Sequence, residues 1–113
     1  MNTDNINALI ARIQAQGTPI NFKDWKQCYA GMAEELSGIS PEERHPALFS
    51  FDRWLGVPVM TAARLTYLHG FGADDDSGDA RHNAFNALDL DAQKRVLIRG
   101  LESLRDTGEI VWE

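Results

Sequence analysis

Few residues in this chain could do chemistry, and their spacing argues against most of it. Cys28 is the only cysteine. A thiol becomes nucleophilic only beside a cation, a paired histidine or a helix N-terminus. At helical spacing its neighbours are Trp25 and Met32, so it reads as a small buried hydrophobe in mid-helix. One cysteine also excludes an intrachain disulfide and a multi-cysteine zinc knuckle. His45, His69 and His82 are widely separated, with no pair at i, i+4 and no His-Glu-x-x-His, so no metal is expected on them. The run Asp74-Asp75-Asp76-Ser77-Gly78-Asp79 invites a calcium reading. Setting Gly78 at the sixth position of an EF-hand loop puts Ala73 first and Ala84 twelfth, where carboxylate ligands belong. Gly70-Phe71-Gly72 lacks the third glycine of a dinucleotide loop, and the aspartates after it would repel phosphate. No Gly-x-Ser-x-Gly occurs, and no Ser/His/Asp order stands out. The expectation is a protein that is not an enzyme and has no cofactor.

What remains is charge. Eleven Lys+Arg stand against seventeen Asp+Glu, a net charge of −6. That balance disfavours coating nucleic acid, because non-specific binding rests on phosphate neutralisation. It favours another protein with a basic surface. Asp74, Asp75, Asp76 and Asp79, joined by Asp89 and Asp91, are the partner-binding candidates, since complementary charge speeds encounter and selects partners. Phe49, Trp54 and Phe71 are candidate exposed aromatic contacts. Leu48, Phe49, Phe51, Trp54 and Leu55 go nearly all round one helix, and one face cannot bury them all. A homodimer is a further form such a protein could take. No apolar run approaches the ~20 residues of a membrane span, and Met1-Asn2-Thr3-Asp4 has neither a basic start nor a cleavage site. A cytoplasmic protein is expected.

The elements that would position these groups follow from periodicity. At 113 residues the chain fits one domain, 1–113. Ile6, Leu9, Ile10 and Ile13 mark a helix over Thr3–Gln16, capped by Thr3 or Asp4 and ended by Gly17. Trp25, Cys28, Tyr29, Met32, Ala33 and Leu36 mark a second over Lys23–Leu36. Gly31 lies inside it, where a neighbouring element could approach closely. Ser40-Pro41-Glu42-Glu43 starts a short turn over Pro41–Arg44. Because Pro46 cannot continue it, a new helix runs from Pro46 to Leu55 and closes at Gly56. Pro58 opens the next, to Leu68. Residues 71–81 read as an acidic loop, followed by a short helical turn near Asn83–Leu88. The last helix starts at Asp89 or Asp91 and ends at Arg105, leaving an extended tail with Trp112. No segment alternates with period two. The fold class is all-α, about five helices around one core.

The stretch Phe51–Leu65 supplies an alternative. Two helices meeting at Gly56 have the layout of a helix-turn-helix, so residues 47–68 could form a DNA-binding regulator. Asp52 stands where that motif wants a small apolar residue, and Arg64 is the only cation of the second helix.

The segments Phe22-Lys-Asp-Trp25-Lys-Gln-Cys28-Tyr-Ala30-Gly31-Met-Ala33, Trp54-Leu55-Gly56-Val57, Ala62–Leu68 and Thr107-Gly108-Glu109-Ile110-Val111-Trp112 resemble a group of small helical phage and prophage proteins. The resemblance spans roughly residues 20–112. It implies an all-α fold and a phage-associated origin, and it transfers no catalytic residue. In that setting the partner would be a host factor, such as a nucleic-acid-handling or CRISPR-like defence complex that the protein inhibits.

Overall fold

A computed structural model describes residues 1–43, 49–72 and 78–113. The expected all-α architecture is present. Among the described residues six helices follow in order: α1 (Thr3–Gln14), α2 (Tyr29–Leu36), α3 (Phe51–Leu55), α4 (Val59–Thr66), α5 (Gly78–Asn86) and α6 (Leu90–Thr107), with a 3₁₀ turn over Pro41–Glu43. The long helices α1 and α6 pack on each other, α2 lies against α1, and the α3–α4 corner closes the other side. Ile6, Leu9 and Ile13 meet Leu97, Leu101 and Leu104 in one core with Tyr29, Leu55, Leu65, Leu68 and Phe85, all at most 1% exposed.

Several boundaries differ from the sequence reading. The cap of α1 is Asn2, whose side chain accepts from Asn5 N, rather than Thr3 or Asp4. The helix ends at Ala15 in a right-handed conformation, without using Gly17. The second helix starts at Tyr29, not Lys23. Asp24 explains this: its Oδ1 accepts from Lys26 N at 3.0 Å and its carbonyl from Gln27 N at 2.8 Å. Such local bonds offer the backbone an alternative to the helix. The turn then folds back onto α2, and a Cβ at Gly31 would collide with the Trp25–Lys26 backbone. The close approach at Gly31 therefore comes from the chain just before it. Trp25 becomes half-buried instead of joining the core stripe.

The helix expected over Pro46–Leu55 starts at Phe51 within the described residues, since Phe49 and Ser50 are not helical. Ser50 takes φ −90° and ψ 82°, which turns the chain so that Phe51 enters the core. Gly56 closes α3 in the left-handed region at φ 69°. The free carbonyls at this helix end are taken by the N-terminus. Asn2 N donates to Leu55 O at 2.7 Å and Asn5 Nδ2 to Trp54 O at 2.8 Å. Pro58 is the cap of α4 rather than its first residue, and the helix stops at Thr66, before Leu68 turns to φ 51°. That uncommon conformation for leucine is held by complete burial of its side chain.

Gly78–Arg81, expected in the acidic loop, belong to α5. The reason is tertiary. Arg81 Nε donates to Tyr67 O at 2.9 Å, and His82 Nε2 lies 3.1 Å from Thr66 O, so α5 satisfies the end of α4. Asp89 caps α6, accepting from Ala92 N at 2.8 Å. The helix runs two residues past Arg105, to Thr107, and Gly108 caps it. The tail then crosses α6. The Trp112 ring lies on Gly100, and its Nε1 donates to His69 O at 2.9 Å.

Two buried polar groups hold these pieces together. Gln93 accepts from Ile20 N at 2.8 Å and donates to Ile20 O at 2.9 Å, tying α6 to the connection after α1. Tyr29 Oη donates to Leu97 O at 2.7 Å. The sequence reading named neither role.

Candidate protein-binding surface

The six carboxylates singled out from sequence do not stand as one group. Asp74, Asp75 and Asp76 lie outside the described residues. Asp79 is exposed and pairs with Lys23 at 2.9 Å; that ammonium holds its carboxyl below the usual range. Asp89 is exposed but employed as the cap of α6. Asp91 is exposed in the first turn of α6, where the helix dipole favours a negative charge.

The aromatic candidates pack inward further than expected. Phe49, Trp54 and Phe71 are half-buried against the core. Trp54 stacks on Phe51 at 6.4 Å between centroids, and Phe71 meets Phe85 edge-on at 6.2 Å. The exposed aromatic is Tyr67, at 55%, together with Val59 and Met60, each at 65%. All three lie on or directly after α4. Helical geometry explains the grouping. Ala62 and Leu65 turn into the core, so Val59, Ala63 and Tyr67, at i, i+4 and i+8, share the opposite face with Met60 beside them. Arg64 sits at its edge. The sequence carried a signal for this face: between Asp52 and Asp74 there is no carboxylate.

A second concavity runs along the outer face of α6. It has a volume of about 640 Å³ and is walled by Phe71, Leu88, Val96 and Trp112. Lys94, Arg95 and Arg99 line it with Glu102 and Glu113, so charges of both signs meet there. Arg99 Nε is engaged with Glu113 O at 3.0 Å.

The chemistry-bearing residues take structural positions. Cys28 is buried at the start of α2, not in mid-helix, and its thiol donates to Trp25 O at 3.4 Å. Desolvation pushes that thiol up, against the lowering effect of nearby backbone N–H groups. His82 stacks on Tyr67 at 6.3 Å, and His69 is exposed. His45 is outside the described residues. Among the described residues no three His, Cys, Asp or Glu side chains are grouped to hold a metal ion, and no helix is long and apolar enough to cross a membrane.

Fold and surface together define an all-α protein whose most distinctive exposed feature is an acid-free apolar helix face. Compared with protein-family models, curated proteins and solved structures, the chain matches none of them.

Proposed function

We propose that this chain is a non-catalytic, acidic protein-binding module that occupies a basic surface of its partner. One observation carries the reading: the excess negative charge is not consumed inside the fold. Asp4, Glu42, Glu43, Asp91 and Glu109 are exposed and lie outside the three ion pairs among the described residues. Unspent surface carboxylates on a chain of net charge −6 complement surfaces built to hold nucleic acid. The phage-type resemblance supports a host complex of that kind, a nucleic-acid-handling or CRISPR-like defence assembly, with inhibition by occupancy as the outcome.

The test is affinity capture from host lysate with mass spectrometry, repeated with a variant in which Asp74, Asp75, Asp76 and Asp79 are changed to Asn. The expected partner binds nucleic acid, is released by salt, is displaced by duplex competitor and is captured less well by the variant. A partner indifferent to salt and competitor would remove the electrostatic reading. A second reading, DNA binding by residues 47–68, is favoured by the helix-turn-helix layout of the α3–Gly56–α4 corner. No mobility shift of duplex DNA at micromolar protein and moderate salt would end it.

A further inference from the structure

We infer that α4 is a self-association face, through which two copies of this chain pair antiparallel about Ala63. The occupant follows from charge and symmetry. Two identical chains each carrying −6 repel wherever carboxylates face one another. The helix α4 carries none: Val59–Thr66 contains no acid, and the flanking sequence is free of acid back to Asp52 and forward to Asp74, while Glu109 lies at its rim on the side of Thr61 and Arg64. The same absence makes α4 a poor match for the basic partner proposed above, which needs carboxylates to meet. Duplex DNA fares no better, because Arg64 is the only cation the helix offers.

The stripe is also self-complementary. A twofold interface requires that residue i meet j and that j meet i. With the axis at Ala63, Val59 of one copy lies against Tyr67 of the other, and the two Ala63 side chains face each other. A small residue at the crossing allows helix axes to come within the ~8–10 Å of ordinary helix packing. Met60 lies beside Tyr67 of the second copy, a thioether against an aromatic ring. Arg64 is displaced round the helix to the rim, where water screens it from its mate. Pairing would cover Val59, Met60 and Tyr67, three of the most exposed large hydrophobic side chains.

Sedimentation equilibrium of the full chain at low and high salt tests this. The self-repulsion of two acidic chains is screened by salt, with a Debye length of ~10 Å at 0.1 M and ~3 Å at 1 M, whereas the apolar contact is not. A concentration-dependent dimer is therefore expected, tightening several-fold between about 0.05 and 0.5 M NaCl. The proposed basic partner would show the opposite salt dependence, so failure of one reading leaves the other standing. Met60→Glu places two carboxylates beside the axis and should weaken the dimer at least tenfold while leaving circular dichroism, and the melting of the dilute monomer, unchanged. Ala11→Glu, which adds the same charge at an exposed position on α1, should leave it intact. A monomer at high protein concentration in both salts overturns the inference. So does a dimer that Met60→Glu does not weaken, or a Met60-dependent shift of duplex DNA by a monomeric protein.

Discussion

Gln93 is 0% exposed and bonds both backbone groups of Ile20, which is itself 2% exposed. Gln93→Leu keeps the approximate volume and removes both bonds, together with a longer one from Nε2 to Phe85 O at 3.3 Å, whose oxygen keeps Leu88 N as a donor. Each Ile20 group is then buried without that partner, at about 1–3 kcal/mol apiece. The sum is roughly 2–6 kcal/mol, only slightly offset by burying an extra apolar side chain. Domains of this size hold about 5–15 kcal/mol in total, and each kcal/mol shifts the melting temperature by roughly 4 °C. Gln93→Leu should therefore melt roughly 8–24 °C lower. Gln93→Glu separates hydrogen bonding from packing. It retains an acceptor for Ile20 N, loses the donor to Ile20 O, and buries a carboxylate. Its loss should be largest at neutral pH and partly recovered near pH 4–5, where a protonated carboxyl regains a donor. Urea titration of the three proteins at both pH values is the assay. A Gln93→Leu protein within ~0.5 kcal/mol of the parent, the size of an ordinary surface change, would refute the reasoning.

Other consequences follow from the same contacts. Gly31→Ala forces a Cβ into the backbone of Trp25 and Lys26, where neither side can yield. A loss of roughly 3 kcal/mol or more is expected, read by thermal melting. Gly100→Ala meets the Trp112 ring instead, a side chain that can shift where backbone cannot. The cost should be nearer 1–2 kcal/mol, with faster hydrogen exchange in residues 109–113. Trp25→Ala should cost less than the ~3–5 kcal/mol of a fully buried ring, because this one is half-exposed beside Lys26.

Burial raises both the Cys28 thiol and the Tyr29 phenol. The folded state therefore holds protons that the unfolded chain would release. Stability from these groups is complete below their unfolded values, about 8.5 and 10, and is lost as pH rises above them. Melting temperature should fall from about pH 8.5 in the parent and only from about pH 10 in Cys28→Ala; coincident curves would contradict this.

The class of fold was legible from apolar spacing alone. Ile6, Leu9, Ile10 and Ile13 in α1, and Leu97, Leu101 and Leu104 in α6, are buried as their spacing required, because a helix with one apolar stripe has one face to hide. The stop at Gly56 was equally legible, since glycine readily takes the left-handed turn found there. Long-range packing settled what local pattern left open. Lys23–Cys28 has a helical stripe, yet it is a turn, because Asp24 and the close approach at Gly31 bind that backbone otherwise. Gly78–Arg81 looks like loop, yet it is helix, because the carbonyls of Thr66 and Tyr67 needed donors. The exposed surface was hardest to read. Apolar residues nearly encircle α4, and periodicity cannot say which arc turns inward. Packing against α2 and α3 took Ala62 and Leu65, leaving Val59, Met60 and Tyr67 to the solvent.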